Sequence, residues 1–347
     1  MTAVTTGRSK AFLRSIHIFR ALAIVLIVGA HVQPVVDWPD SLTKRLVLGF
    51  TNESSTYFMF ISGFLFHHLS GRFAYGDYLA TKFRNVVLPY ILLSLPAIVM
   101  FVFVTQRPGL WPGFYDMPQW EQVLAFIVTG KHLAPMWFIP MMVLFYLSAP
   151  LFVWIDRRQP VLYLAIIPLL VYATTTGRGG HYGPLNMYVY FLPVYLLGMW
   201  VSRNFAQVMA WARRWAWPLG GAVLALYIMY VLKVQAGFTL QTVLKPLSIP
   251  LILLAFDRWS TRVPPRIDYL ADISFGIYFV HAYFIAASKL AISSITTHAP
   301  TSANEVLLPG GLPMFLLVMC VVMLFSAVSI RLAQGMFGRR SRMLVGA

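Results

Sequence analysis

Residues 19–32 read FRALAIVLIVGAHV, an apolar run with Arg20 near its start and His31 near its end. If the run is helical, these two residues lie about 16 Å apart along the axis. That distance carries the chain from one edge of a bilayer core past its middle. A histidine inside a membrane helix is costly, and by default it indicates a functional site. The simpler alternative is an anchoring arginine with a hydrogen-bonded packing histidine.

The composition is typical of a membrane protein. The 347 residues are 59% hydrophobic and only 11% charged, with a mean hydropathy of +0.71. A soluble domain carries about twice that charged fraction. The single cysteine, Cys320, excludes an intramolecular disulfide and a cysteine-based metal cluster, and the scattered histidines predict no metal site.

The net charge of +16 does not indicate a nucleic-acid partner. Lysines and arginines fall between the apolar segments instead of along one face or one tail, where a nucleic-acid site would need them. The basic residues therefore report on membrane topology. The basic tail after Leu332 is expected to lie against anionic lipid.

Long apolar runs predict an all-α, polytopic membrane protein with about ten transmembrane helices. Lysine and arginine concentrate in every second connection, and the positive-inside rule makes that side cytoplasmic. Both termini are then expected in the cytoplasm, which requires an even number of spans. We expect one integral membrane domain over residues 1–347, without a separate soluble domain. The predicted spans are 15–35, 54–70, 86–106, 136–155, 160–175, 186–203, 214–233, 241–257, 273–292 and 312–334.

The longest outer loop, roughly residues 107–135, contains an amphipathic segment. Trp120 to Val128 is predicted to form a helix that lies at the outer membrane interface. A short re-entrant piece and an eleventh span are the alternatives for this segment.

The second predicted span begins just after an acidic residue, Glu53. If the first two spans form an antiparallel hairpin, Glu53 and His31 lie at similar depth. A carboxylate beside an imidazole orients the ring and suits a general base. The alternative is a solvated residue at a helix start. Deeper in the same span, Ser62 and Gly63 favour close helix packing.

Two cations, Lys82 and Arg84, enter the third predicted span from the cytoplasmic side within DYLATKFRNVVLPY (77–90). Two positive charges there are suited to hold a phosphate group that arrives from the cytoplasm. Ordinary positive-inside anchoring is the alternative interpretation.

Three further residues are candidate substrate contacts. Trp137 begins the fourth span at the outer interface, where tryptophan is also an ordinary membrane anchor. Tyr278 and His281 lie inside the ninth span, three residues apart and therefore on one helix face. A satisfied structural histidine is the alternative for His281.

Five motifs follow one another along nearly the whole chain: Arg20-x10-His31, FMFISGFLF (58–66), KFRNVVLPY (82–90), MWFIPMMVLFYLSAPLF (136–152) and SFGIYFVHAYF (274–284). As an ordered set, these motifs resemble the acyltransferase-3 family of integral membrane acyltransferases. One departure from the family is that Thr81 occupies the first place of the Arg-x-x-Arg pattern before the third span, with Lys82 beside it and Arg84 in the second place.

The resemblance implies transfer of an acyl group, commonly acetyl, from cytoplasmic acyl-CoA to a hydroxyl of an envelope or exported glycan. The acceptor, either such a glycan or a lipid-linked saccharide, would bind at the outer face of a bacterial inner membrane. Arg20, Lys82 and Arg84 would bind the donor, and His31 would act as the catalytic base with Glu53. Besides the bilayer, polysaccharide assembly proteins are the expected partners.

Two other classes of function stay open on the residues alone. A transporter or exporter of a small acid or saccharide would also place polar residues near the bilayer midplane, but the chain shows no inverted repeat. A non-enzymatic scaffold for polysaccharide assembly would require neither Arg20 nor His31. The motifs favour acyl transfer to a glycan hydroxyl.

Overall fold

A computed structural model of the protein describes residues 3–178, 183–237, 239–295 and 307–347. These residues are built almost wholly from helices, which confirms the all-α prediction. The exception is a parallel pair of two-residue strands, β1 (Val36–Asp37) and β2 (Leu308–Pro309). The α-helices are α1 (Ala3–Val32), α2 (Leu42–Thr51), α3 (Ser55–Leu69), α4 (Tyr75–Lys82), α5 (Leu88–Val99), α6 (Gln119–Thr129), α7 (Phe138–Leu147), α8 (Ala149–Arg158), α9 (Ile166–Thr176), α10 (Pro184–Arg203), α11 (Phe205–Arg214), α12 (Ala216–Val231), α13 (Leu240–Trp259), α14 (Pro265–Ile295), α15 (Gly311–Phe337) and α16 (Ser341–Val345).

The chain is a polytopic helical membrane protein with six to seven candidate spans among the described residues. The seventh candidate is the pair α7 and α8, which meet at a 52° bend. Pro150 lies in the first turn of α8 and explains the bend, because proline has no backbone N–H to continue the helical ladder. The six long segments are Arg14–Val35, Tyr75–Val104, Pro184–Arg203, Leu240–Trp259, Pro265–Ala291 and Gly311–Val345.

The count of ten spans stays a prediction. Three of the predicted spans, 54–70, 160–175 and 214–233, fall on helices shorter than the six long segments. The helix α3 has 15 residues and α12 has 16, so each reaches only part of the way across a bilayer core about 30 Å thick. The cytoplasmic placement of both termini also stays a prediction.

The first helix, α1, lies at the centre of the bundle. It packs against α2, α3, α13, α14 and α15. Phe19, Ala23, Ile24 and Val28 are fully buried in these contacts. A helix that is surrounded on all sides is apolar on all sides, which explains why its sequence has no polar face. This placement puts the polar residues of α1 inside the protein.

Two glycines allow α3 and α10 to pack with their backbones close together. A Cβ on Gly63 would lie 2.0 Å from the carbonyl oxygen of Tyr195, and one on Gly198 would lie 2.2 Å from that of Phe60. The predicted packing role of Gly63 is therefore confirmed. The Ser62 hydroxyl donates a hydrogen bond to the Phe58 carbonyl of the same helix at 2.8 Å, so it needs no partner on the neighbouring helix.

Two peripheral segments were predicted with different success. Trp120 to Val128 is helical within α6, and eleven residues are too few to span a bilayer, so the eleventh-span alternative is excluded. Its position at the interface stays a prediction. The expectation that the basic tail lies against anionic lipid stays a prediction: α16 packs against α5 and α14 of the protein, whereas Arg339 and Arg340 are exposed. Gly346 fits closely against Phe279, where a Cβ would lie 2.8 Å from the ring.

Candidate active site

A cavity of about 370 Å³ lies beside the last turn of α1. Its wall comes from the end of α1, the α2–α3 connection, the residue before α7, the connection after α9, and the region between α12 and α13. All of these segments lie on the side that the charge distribution predicts to be outer. The lining residues are Ile27, Ala30, His31, Asn52, Glu53, Ser54, Ser55, Trp137, Arg178, Tyr230, Thr239 and Gln241.

The imidazole of His31 is held in one tautomer. Its Nδ1 lies 2.8 Å from the carbonyl oxygen of Ile27, and 3.4 Å from Nε2 of His281. A carbonyl oxygen only accepts hydrogen bonds, so Nδ1 carries the hydrogen and Nε2 carries a lone pair. Within the described residues, Nε2 has no hydrogen-bond partner. The arrangement leaves a proton acceptor at the cavity wall.

Glu53 reaches the same cavity from the connection between α2 and α3. Its φ of +57° is unusual for a side chain other than glycine, and it fits the sharp change of direction before α3. The carboxylate pairs with Arg178 at 2.7 Å and accepts from the Tyr190 hydroxyl at 3.4 Å. Glu53 and His31 therefore line one cavity, in agreement with the similar depth that the hairpin argument predicted. The contacts that orient the His31 ring, however, are those with Ile27 and His281.

Arg178 is a cavity residue that sequence reasoning did not single out. Its guanidinium carbon lies 5.2 Å from the ring centres of Trp137 and Phe191. Trp137 in turn stacks on Phe191, with ring centres 6.0 Å apart and planes 19° apart. The only signal in the sequence was that Arg178 is one of few basic residues in the outer connections. The predicted substrate contact Trp137 thus lies at the cavity with a cation beside its ring.

A buried lysine, Lys245, holds the end of α2, the helix that leads into the segment with Glu53. The Nζ atom of Lys245 donates to the carbonyl of Phe50 at 2.6 Å and to that of Gly49 at 3.3 Å. These carbonyls belong to the last turn of α2, where a cation is favourable. The Nε2 atom of Gln241 also donates to Gly49, at 3.3 Å. Lys245 therefore helps to fix the end of α2, from which the chain enters the cavity wall.

Comparison with known proteins decides the class of this protein. Residues 13–331 match the family model described as an acyltransferase domain. The chain belongs to the acyltransferase-3 family. No curated protein and no solved structure matches the chain significantly. The resemblance seen in the motifs is thereby confirmed, and the protein is a membrane acyltransferase.

In this acyltransferase-3 protein, Arg20 lies away from the cavity that His31 lines. Its Nη2 atom donates to the hydroxyl of Ser274 on α14 at 3.2 Å. Ser274 is fully buried and passes its own hydrogen to the Ala271 carbonyl at 2.7 Å. Arg20 and His31 therefore mark two separate regions at opposite ends of one membrane helix.

The other two predicted donor contacts differ in their surroundings. Lys82 is half-buried, and its Nζ lies 5.3 Å and 5.2 Å from the ring centres of Tyr78 and Tyr146. Arg84 is exposed on the π-helical turn Phe83–Val87. Arg342 of α16, beyond the segment that matches the family, interacts electrostatically with both Arg20 and Lys82. Arg342 is therefore a further cation of this region, whereas the sequence alone assigned it to the basic C-terminal tail.

Tyr278 and His281 lie behind the cavity wall. The Tyr278 hydroxyl donates to the carbonyl of Pro135, and the side chain is 4% exposed. His281 is 0% exposed and contacts His31 from α14. Neither residue is among those that line the cavity in the described part of the chain. Their role as direct substrate contacts stays a prediction.

Proposed function

We propose that this acyltransferase transfers an acyl group, most simply acetyl, from cytoplasmic acyl-CoA to a glycan hydroxyl at the outer face of a bacterial inner membrane. The observation that carries the proposal is the free Nε2 of His31 at a polar cavity in an acyltransferase-3 protein. An unprotonated imidazole nitrogen is suited to remove the proton of an attacking hydroxyl. The acceptor belongs to an envelope or exported glycan, or to a lipid-linked saccharide.

Charge and distance support acyl-CoA as the donor. The phosphates of CoA are anionic, and Arg20, Lys82 and Arg84 offer cations on the side that is predicted to be cytoplasmic. Arg20 and His31 lie about 16 Å apart along α1. The extended pantetheine arm of CoA is long enough to cover that distance. The length of the arm therefore matches the depth that separates Arg20 from His31.

The proposed transfer uses one proton relay. His31 Nε2 takes the proton from the acceptor hydroxyl as the hydroxyl oxygen forms a bond to the thioester carbonyl carbon. The tetrahedral intermediate then breaks its carbon–sulfur bond, and the departing CoA sulfur takes the proton from His31. General-base assistance of this kind contributes about a hundredfold to ten-thousandfold in rate. Glu53 lines the cavity as the second candidate catalytic group.

The character of the cavity wall supports a saccharide acceptor. An indole ring, a carboxylate and several hydroxyl and amide groups surround one space, and sugars offer both apolar faces and hydroxyls to such a surface. Trp137 is the aromatic member of this wall. Tyr278 and His281 would contribute from the layer behind it. Proteins of polysaccharide assembly are the partners expected to supply the acceptor.

The test replaces His31 by alanine. Mass spectrometry of envelope and exported glycans from cells that make wild-type protein should reveal an acyl mass that the His31→Ala variant does not add. A matched control is His17→Gln, because His17 lies in the same helix but bonds to the Asp268 carbonyl at 3.1 Å, away from the cavity. Wild-type acylation by His31→Ala would overturn the proposal. Movement of labelled acetyl across the membrane without covalent transfer would overturn it in favour of transport.

A further inference from the structure

Arg178 enters the cavity through a turn that only glycine makes easily. Gly177, just after α9, has a φ of +61°, and a Cβ there would lie 3.2 Å from the hydroxyl of Thr239. L side chains rarely adopt this φ, so glycine suits the position. The turn brings Arg178 to the same cavity that His31 lines.

Three aromatic rings and one carboxylate fix the guanidinium group. Its carbon lies 5.2 Å from the rings of Trp137 and Phe191 and 5.8 Å from that of Tyr190. Its Nη2 atom pairs with Glu53 at 2.7 Å. A planar cation that stacks on rings and pairs with a carboxylate keeps little freedom to move. The group is therefore organised before any substrate arrives.

Two nitrogens of Arg178 lack a hydrogen-bond partner in the described part of the chain. Nε and Nη2 are buried and make no hydrogen bond within the described residues, although Nη2 lies 2.7 Å from the Glu53 carboxylate as an ion pair. The guanidinium group lines the cavity. A cationic N–H group without an acceptor in a partly buried wall indicates an oxygen atom of a bound molecule.

We propose that Arg178 stabilises the negative charge that develops on the acyl carbonyl oxygen during transfer, a role that rests on the proposed function. The hydroxyl oxygen bonds to the carbonyl carbon, the carbonyl π electrons move to oxygen, and His31 takes the proton. An N–H group of the Arg178 guanidinium donates to that oxygen until the C=O bond forms again and the carbon–sulfur bond breaks. Because Glu53 already balances the charge of Arg178, the ion pair is stable without a bound anion. It stabilises the negative charge that develops on the carbonyl oxygen during the reaction.

The experiment uses the purified full chain in lipid nanodiscs, with acetyl-CoA as donor and water as acceptor. Release of the CoA thiol gives kcat and KM for wild type, Arg178→Gln and Arg178→Lys. Arg178→Gln is expected to lower kcat by about a hundredfold to a thousandfold, the loss typical of one oxyanion donor, without raising KM for acetyl-CoA. Arg178→Lys keeps the charge but not the fixed planar fork, so it should restore part of kcat.

Arg45→Gln is the matched control. Arg45 also pairs with an acid, Asp40, at 3.6 Å on the same predicted side, but it does not line the cavity. Equal turnover by Arg178→Gln and Arg45→Gln would overturn the inference, and so would a rise in KM with kcat unchanged. If Arg178→Gln does not fold, Arg178→Lys carries the same test of kcat against KM. Normal CoA release by His31→Ala would overturn the proposed function as well, whereas normal release by Arg178→Gln alone would overturn only the role of Arg178.

Discussion

The Nε2 atom of His281 lies 3.4 Å from the Nδ1 atom of His31, and the two ring centres are 5.1 Å apart. The Nδ1 atom of His281 lies 3.0 Å from the Ile277 carbonyl, so it carries the hydrogen and Nε2 is an acceptor. The Nδ1–H of His31 therefore faces two acceptors, the Ile27 carbonyl and His281. Both favour the tautomer of His31 whose Nε2 is free at the cavity.

His281 is expected to position His31 through this contact. His281→Leu removes one acceptor and should lower the acyl-transfer rate about five- to tenfold, the effect of one orienting hydrogen bond worth about 1 kcal/mol. His281→Gln can place its amide oxygen near the lost Nε2 and should recover most of the rate. The measurement is kcat for acetyl-CoA with thermal unfolding of each variant as the control. Equal loss of rate in both variants would show that only the packing of His281 matters.

Lys82 and Arg84 offer a matched comparison of the two predicted donor cations. Lys82 is half-buried between two tyrosine rings, whereas Arg84 is exposed. A charge-assisted hydrogen bond to phosphate is worth about 1.5–3 kcal/mol, so Lys82→Ala should raise KM for acetyl-CoA by roughly tenfold or more. Arg84→Ala should change it less, because water screens an exposed charge.

Acetyl-pantetheine distinguishes the loss of a phosphate contact from a general loss of donor binding in the variant. Acetyl-pantetheine lacks the nucleotide phosphates, so its KM should be the same for wild type and Lys82→Ala. If Lys82→Ala weakens both donors equally, the lysine does not contact phosphate. If Arg84→Ala has the larger effect on acetyl-CoA, the donor enters by the exposed turn instead.

Local patterns predicted the parts of this protein that depend on local sequence. The apolar run of α1 predicted a membrane-spanning helix, the amphipathic segment predicted α6, and Gly63 predicted a close helix contact. Helix count was harder, because α3, with 15 residues, is too short for its apolar character to decide between a span and a buried helix.

Contacts between distant segments explain what the sequence could not predict. His31 and His281 are 250 residues apart, and Lys245 and Phe50 are 195 apart. No periodic pattern records which of several histidines or lysines will meet a given partner. The contact between Arg178 and Glu53 is another of these distant contacts, and it depends on how α9 and α10 pack in the bundle. The residues of α1 were predictable, but their partners required the tertiary structure.

Substitution of Gly63 should destabilise the contact between α3 and α10. An alanine Cβ would lie 2.0 Å from a backbone oxygen of Tyr195, which cannot rotate away, so the helices must separate. Overpacking of this kind typically costs about 1–3 kcal/mol. Thermal unfolding in detergent should show a lower midpoint for Gly63→Ala than for wild type.

Gly220→Ala is the control for that substitution. Gly220 lies in α12, and a Cβ added there would have no atom of a neighbouring segment within 4 Å, so alanine meets open space. Alanine is favoured over glycine in a helix by about 1 kcal/mol, and the midpoint should stay constant or rise. A decrease for Gly220→Ala as large as that for Gly63→Ala would contradict the packing explanation.

His132 should make the outer segment sensitive to acid. Burial lowers the pKa of His132 to about 4, from 6.5, with the charge of Arg107 acting in the same direction. Between these two values the unfolded chain binds more protons than the folded protein, so stability falls as the pH falls. From pH 7 to pH 5 the loss should be about 2 kcal/mol, and it should level off below pH 4.

The measurement compares thermal unfolding of wild type and His132→Asn at pH 7 and pH 5. Asparagine can still donate to the Phe126 carbonyl, which the His132 Nδ1 contacts at 3.2 Å, but it does not titrate. The difference between the two proteins isolates this residue from every other group that changes charge over the same range. His132→Asn should therefore lose less stability on acidification than wild type. An identical loss in both would mean that folded His132 takes up its proton near its ordinary pKa, and the linkage argued from its burial would be wrong.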